Sequence, residues 1–291
     1  MKTTTLKLLG IALLACGAAQ SRADEQAVPG HPAPEQTAPG QAAPGQTEES
    51  PWRLGIAFGY GERSNPLVLS VNLPVIIDLD IAWFGERFFF DNGDVGWTFA
   101  DNAAVTASFV GRFNSDRVFF GKTDTRFVNI ELATGQPLSD FVQVTVPDRD
   151  YAIEAGVELL TDGRWGYLQF AAHHDVSGTH DGFALDLDYG IGWRSERWYF
   201  EPSVGVGFKS AALNDYYWGV RPDESNSAVP EYEAGAGVNV SGRLLASYYV
   251  TPHWALSFAA EYERINDEAA ASPIVAESDV IGFFAGMRYR F

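Results

Sequence analysis

Along most of this chain the apolar positions recur at every second residue. In Phe183 to Arg194 the odd positions are Phe183, Leu185, Leu187, Tyr189, Ile191 and Trp193, and the even ones are Ala184, Asp186, Asp188, Gly190, Gly192 and Arg194. Successive side chains of a strand point to opposite faces, so this segment predicts a strand with one wholly apolar face and one small or charged face. The same split separates Trp198, Phe200, Val204, Val206 and Phe208 from Glu201, Ser203, Gly205, Gly207 and Lys209. It also separates Tyr151, Ile153, Ala155, Val157 and Leu159 from Glu154, Gly156 and Glu158, and Trp254, Leu256, Phe258, Ala260 and Tyr262 from Ser257, Glu261 and Glu263. Turn-forming clusters lie between the runs: Thr161-Asp162-Gly163, Ser177-Gly178-Thr179, Ser195-Glu196 and Thr251-Pro252-His253. They predict consecutive antiparallel hairpins.

A soluble sandwich alternates too, so strand length and the polar face must discriminate. These runs are about ten to fifteen residues, longer than the usual five or six and close to what a tilted strand needs to cross a bilayer. Aromatics such as Trp193, Trp198, Tyr199, Trp254 and Tyr262 gather near strand ends, where an interfacial girdle lies. Glu, Asp, Arg and Gly on the other face suit a polar lumen better than a packed core. The expected fold is therefore an all-β, transmembrane, antiparallel up-and-down barrel.

The predicted strands are Trp52 to Glu62, Leu67 to Ile77, Ile81 to Phe90, Val95 to Ala100, Ala103 to Phe113, Asp150 to Leu160, Arg164 to Asp175, Phe183 to Arg194, Trp198 to Lys209, Val238 to Val250, Trp254 to Glu263 and Asp279 to Phe291. That makes twelve, an even number that leaves both barrel ends in the periplasm. A bulge at Asp91-Asn92-Gly93-Asp94 in place of a turn would reduce the count to ten. Counting back from a periplasmic Phe291, the long connections Asn114 to Arg149, Ser210 to Gly237 and Arg264 to Ser278 all fall on the extracellular side.

The chain has 291 residues, 46% of them hydrophobic and 14% aromatic, with a formal charge of −18. This is too apolar for a disordered chain, and it has no cluster of Lys and Arg with which to hold a nucleic-acid backbone. After the first twenty positions no apolar run is long enough for a membrane helix. Residues 1–23 read as a signal peptide: Lys2 and Lys7 precede an apolar stretch, and Ser21-Arg22-Ala23 fits the small-x-small cleavage rule. Leu13-Leu14-Ala15-Cys16 resembles a lipobox, the rival reading, in which Cys16 is lipidated. Residues 24–51, built of Ala, Pro, Gly, Gln and Glu, read as a disordered periplasmic tether.

Candidate chemistry is sparse. Glu154, Glu158, Asp186, Asp188, Arg194, Glu201, Lys209, Arg243, Glu261, Glu263, Arg288 and Arg290 fall on polar faces and are expected to point into the lumen. Mixed in sign, they would either line a narrow pore, cation-favouring where acids dominate, or pair into a plug of salt bridges. His173, His174, Asp175, His180 and Asp181 flank the Ser177-Gly178-Thr179 turn. His173 and His174 are neighbours on a strand and point to opposite faces, so they cannot share one metal ion. These residues are expected to be polar groups of a solvated loop. Ser177 lies near His180, but the sequence assigns neither an orienting carboxylate nor an oxyanion donor. No catalytic, cofactor or metal motif is identified.

The last strand alternates Ile281, Phe283, Ala285, Met287, Tyr289 and Phe291 with Gly282, Phe284, Gly286, Arg288 and Arg290. Gly286-x-x-Tyr289-x-Phe291 resembles the terminal signal by which the barrel-assembly machinery recognises its substrates. Gly85 to Gly96 (GERFFFDNGDVG), Asn214 to Val220 (NDYYWGV), Tyr262-Glu263-Arg264-Ile265, Ser272-Pro273-Ile274-Val275 and the ending Gly286 to Phe291 together resemble the MltA-interacting protein (MipA/OmpV) family, over nearly all of Trp52 to Phe291. The resemblance implies a barrel in the outer membrane of a Gram-negative bacterium, in contact with its lipids and lipopolysaccharide. It implies, for one member, a scaffold joining a lytic murein transglycosylase to a murein synthase. The family supplies no catalytic residues to carry over. A non-enzymatic envelope scaffold is the leading expectation, with a small channel for cationic or polar solutes second and an outer-membrane hydrolase third.

Overall fold

The structure is a computed structural model that describes residues 51–120, 126–128, 142–144 and 146–291. The expected signal peptide, Cys16 and nearly all of the expected tether lie outside the described residues. Twelve strands form a closed antiparallel barrel: β1 Trp52–Arg63, β2 Leu73–Phe84, β3 Phe88–Asp91, β4 Asp94–Asp101, β5 Thr106–Phe113, β6 Ile153–Gly163, β7 Gly166–Asp175, β8 Phe183–Gly190, β9 Trp198–Lys209, β10 Gly237–Tyr249, β11 Trp254–Arg264 and β12 Asp279–Arg290. Each pairs with the next in chain order, and β12 pairs with β1 to close the ring. A two-residue segment, Trp193–Arg194, pairs with the start of β9, and Arg126–Val128 pairs with Val142–Val144 apart from the barrel.

The alternation has the expected meaning. Phe183, Leu185, Leu187 and Tyr189 are each 37–46% exposed on the outside of β8, and Ala184 between them is 3% exposed. Seven of the eight tryptophans, all but Trp218, lie toward the end that carries the short turns. Trp198 stacks on Phe200 at 5.3 Å, Trp165 on Tyr189 at 6.2 Å, and Trp254 meets Tyr289 at 4.8 Å. Short turns face the periplasm in bacterial barrels, so this aromatic belt marks the periplasmic interface. The long connections emerge at the opposite, extracellular end.

Two expected strands are redrawn. Leu67 to Ile77 and Ile81 to Phe90 placed a turn at 78–80, but Asp78, Leu79 and Asp80 lie inside β2. Leu67 leaves the wall and bridges to Val275 among the outer loops. The register of β1 on β2 slips between Phe58 and Gly61, so Ile76 and Ile77 are both exposed and the local alternation breaks. The next hairpin is real: Asn92 (φ 51°) and Gly93 (φ 114°) form a tight turn whose left-handed backbone suits Asn and Gly. It is short, however. On its β2 side, β3 reaches only Ala82 to Phe84, so, among the described residues, 73–80 have a strand partner on the β1 side alone. Similarly, the strand expected over Phe183 to Arg194 ends at Gly190.

Closure at the seam depends on glycine. Gly59 of β1 faces Gly286 of β12. A Cβ on Gly59 would fall 2.2 Å from the carbonyl oxygen of Ala285, and one on Gly286 would fall 2.5 Å from that of Phe58. Phe291 then reaches back across the seam, its N–H donating to the Leu54 carbonyl at 3.0 Å.

Candidate functional site: a capped polar lumen

The outer loops fold into a cap with its own core. Helix α1 (Ala211–Trp218) begins at Ser210, whose hydroxyl accepts from the Leu213 N–H, and the short helix α2 (Asp267–Ala270) is capped by Asn266 in the same way. Leu213, Tyr217 and Trp218 of α1 are buried together with Phe119 and Phe120 of the 3-10 turn Asp116–Phe120 and with Leu67, Val229, Ile265, Ala269 and Ile274. The Trp218 ring lies 5.6 Å from that of Phe120. Arg149, 1% exposed, ties this cap down through Glu224 and the Gly219 carbonyl. Desolvation raises the pKa of Glu224, but the hydrogen bonds from Arg149 and the Arg221 backbone outweigh it and hold the carboxyl below its ordinary value. Burial pushes the Tyr217 hydroxyl far up.

Beneath the cap the lumen is polar. A chamber of about 310 Å3 at mid-height is bounded by groups from most of the barrel, among them Arg63, Asp94, Arg112, Glu158, Asp186 and Arg243. A second cavity of about 170 Å3 lies between it and Leu213 of the cap. Arg63 pairs with Glu261 and Glu263 at 3.0 and 3.4 Å, and Arg112 with Glu154 and Asp186 at 3.0 and 3.4 Å. Arg53 pairs with Asp80 and Asp91 at 3.0 and 2.9 Å, and Arg288 with Asp78 at 3.1 Å. Lys209 reaches Asp116 of the cap at 2.6 Å. A chain of buried amides, Asn214 to Asn266 to Asn239, connects α1 with Glu263 in the wall.

The expected lumen residues lie as follows. Glu154 (0% exposed) accepts from Arg112 and from Asn114, and Glu201 (1% exposed) accepts from Tyr167 and Tyr199. Glu158, Asp186, Asp188, Arg243, Glu261 and Glu263 line the mid-height chamber, and Arg288 and Arg290 line a cavity at the periplasmic end. Arg194 sits over the rings of Tyr199 and Tyr249. Sequence reasoning missed Asp78 and Asp80, hidden by the misplaced turn, and the arginines 53, 63 and 112, of which only Arg53 lies between two large apolar neighbours, Trp52 and Leu54.

The histidine group needs a correction. His173, Asp175 and His180 are buried, at 2, 4 and 5% exposure, and do not lie in a solvated loop. His173 points inward toward Glu158 and His174 is exposed, on opposite faces as expected. The His180 Nδ1 accepts the Gly182 N–H, leaving Nε2 to face Glu154 at 3.4 Å. Asp175 accepts from the Ser177 hydroxyl and from the backbone N–H groups of Ser177, His180 and Asp181, fastening the turn. The Ser177 hydroxyl and the His180 imidazole thus address different carboxylates.

Comparison with known proteins agrees with this architecture. The family model described as MltA-interacting protein MipA matches residues 54–291, all of the barrel but the first two residues of β1. The chain belongs to the MipA family. Within it, the outer membrane protein YiaT of Escherichia coli is 24% identical over 248 residues, covering 84% of this chain and 87% of the relative. The MltA-interacting protein of Escherichia coli is 27% identical over 145 residues, covering 50% of this chain and 58% of that protein. OmpV of Vibrio cholerae is 27% identical over 122 residues, covering 40% of this chain and 46% of OmpV. Among solved structures, OprD of Pseudomonas aeruginosa covers 73% of this chain and 58% of its own at 10% identity, with a TM-score of 0.34. This member of the MipA family is an outer-membrane β-barrel.

Proposed function

We propose that this barrel is a non-catalytic scaffold of the envelope that holds murein-remodelling enzymes, a lytic transglycosylase and a murein synthase, at its periplasmic face. The contrast between the two ends carries the reading. The extracellular mouth is covered by a cap with an apolar core, and the periplasmic end presents cavities in which charged groups such as Arg53, Asp78, Glu86 and Arg87 stand beside aromatic rings. A solute path would have to cross that core. A relative carries the name MltA-interacting protein, which supports contact with a murein enzyme. On this reading the apolar exterior meets outer-membrane lipids and lipopolysaccharide, and Gly286, Tyr289 and Phe291 are presented to the barrel-assembly machinery. The test is retention of transglycosylase activity from a native envelope extract on the immobilised, folded barrel. Failure with every native murein enzyme overturns the scaffold.

A small channel for cationic or polar solutes is the second reading. The mid-height chamber favours it, because the six acids Asp94, Glu158, Asp186, Asp188, Glu261 and Glu263 outnumber the three arginines 63, 112 and 243. Conductance steps in planar bilayers from the intact barrel would put this reading first. A hydrolase at the outer rim has the weakest support, given where Ser177 and His180 point.

A further inference from the structure

The periplasmic turn between β2 and β3 opens onto a vestibule of about 240 Å3, walled by Phe84, Phe89, Thr98, Ser108, Glu158 and Gln169, with Glu86 and Arg87 exposed at its rim. Its floor is unusual for a polar lumen. The ring of Phe89 lies flat on Gly96 of the neighbouring strand, so close that a Cβ there would fall 2.1 Å from Phe89 Cζ. With one face against the bare backbone, the ring lines the cavity. Phe84 lies beside it with centroids 6.3 Å apart and planes inclined by 24°. The guanidinium of Arg53 covers Phe84 at 5.6 Å. Leaving two half-buried rings in water costs free energy in proportion to their exposed apolar area. A ligand that lays a flat, weakly positive C–H face on the Phe89 ring, beside Phe84, recovers part of that cost.

Around the floor the wall offers a short polar ring. The hydroxyls of Thr98 and Ser108 bond to each other at 3.0 Å, and the Gln169 amide donates to Glu158 at 3.3 Å. This pattern, an aromatic floor edged by hydroxyls, an amide and a carboxylate, is complementary to a pyranose, which is apolar on its faces and polar around its rim. An acetamido substituent adds one donor, one acceptor and one methyl group, for which the vestibule has the Glu158 carboxylate, the hydroxyl pair and a second ring. The volume lies below the about 300–1,000 Å3 of drug-sized sites, which limits the occupant to a sugar or two. Arg87 at the rim suits a carboxylate carried on the sugar.

We propose that this vestibule binds an N-acetylated amino sugar of the murein glycan. The assignment deepens the scaffold reading and rests on it for the choice of murein among N-acetylated glycans; the geometry itself specifies the sugar chemistry. On this view the barrel holds the glycan strand as well as the enzymes that cut and extend it.

The test titrates the folded full-length barrel in detergent with the N-acetylglucosamine–N-acetylmuramic acid disaccharide, with cellobiose as the comparison, and follows binding by calorimetry and saturation-transfer NMR. Saturable binding of the amino-sugar disaccharide is expected, weakened about tenfold by Phe89→Leu, which keeps apolar bulk and removes the ring face, and also by Thr98→Val. Tyr262→Phe, at the opposite end, leaves it unchanged. Absence of saturable binding overturns the site, as does binding that both vestibule variants retain. Equal affinity for cellobiose overturns the amino-sugar assignment. Retention of the transglycosylase without sugar binding overturns the site and leaves the scaffold standing, whereas sugar binding without enzyme retention supports the site and removes the scaffold.

Discussion

Arg149 donates from both terminal nitrogens to the carboxylate of Glu224, at 2.6 and 3.0 Å, and the second nitrogen also holds the Gly219 carbonyl at 2.9 Å. One side chain thereby joins the end of the β5–β6 connection to the end of α1 and to the loop that follows. Arg149→Ala should loosen the cap and leave the barrel intact. The expected cost is about 2–3 kcal/mol, the upper range for hydrogen bonds to charged groups, because Glu224 keeps access to water once its partner is gone. Hydrogen exchange should speed up in residues 211–234 and stay unchanged in β10 to β12. Faster exchange in the strands would show that the cap and the wall unfold together.

The same pair makes the cap sensitive to acid. Glu224 has its pKa lowered in the folded state, so it stabilises the cap above its ordinary value, about 4.3, and that contribution is lost as pH falls through the depressed value. Protection in 211–234, taken relative to the intrinsic exchange rate at each pH, should therefore fall as the pH drops below about 4.3 in the native chain, and much less in Glu224→Gln, which has lost the contribution throughout. Equal acid responses in the two proteins would place the sensitive group elsewhere.

If the cap closes the lumen, removing it should open a path. Replacing residues 211–233 with a short Gly-Ser connection should turn a silent barrel into one that conducts in planar bilayers, with cations preferred because acids outnumber arginines in the mid-height chamber. Glu261→Gln together with Glu263→Gln should weaken that preference. Open-channel steps from the intact protein would contradict the closed mouth.

Glu154 is fully buried and accepts from Arg112 at 3.0 Å and from Asn114 at 2.7 Å. Arg112→Leu leaves that carboxylate without its cation, which in a buried pair costs about 3–5 kcal/mol. The urea midpoint of unfolding should fall accordingly, and Arg112→Leu combined with Glu154→Gln should recover much of the loss. A double variant as unstable as the sum of its parts would mean that the two groups do not interact.

At the seam, a methyl group on Gly59 meets the backbone of Ala285, which has no flexible end to move aside. Gly59→Ala should lower the folded, heat-modifiable fraction on gels, an overpacking cost of about 1–3 kcal/mol. Gly242→Ala, whose nearest neighbour is 3.9 Å away, should not.

The wall was legible because lipid outside and water inside impose opposite demands on alternate residues, so β8, β9, β11 and β12 announce themselves locally. The first third of the barrel was harder to read. At the slip between Phe58 and Gly61, Ile76 and Ile77 share the outer face, and the sequence Asp78-Leu79-Asp80 then mimics a turn while continuing β2. The cap left no periodic trace, because Leu67, Phe120, Trp218 and Ile274 meet only after the barrel has brought four loops to one end. The buried state of His180 was hidden for the same reason: it lies in the β7–β8 connection, and its partner Glu154 comes from β6. The Phe89 floor was spelled out in the Gly85 to Gly96 motif, but its meaning depends on Gly96 lying opposite Phe89 across the β3–β4 hairpin.

That hairpin also shapes what surrounds the protein. Because it stops at Asn92 and Gly93, alternate amides and carbonyls over residues 73–80 meet no strand of the described residues. Hydrocarbon offers them no hydrogen bonds, so this stretch of β2 needs partners from beyond the described wall, a need that β10, paired along its length with β9 and β11, does not have. Such a barrel has a heading in the plane of the membrane: its β2 flank and its β10 flank present different surfaces to a neighbour.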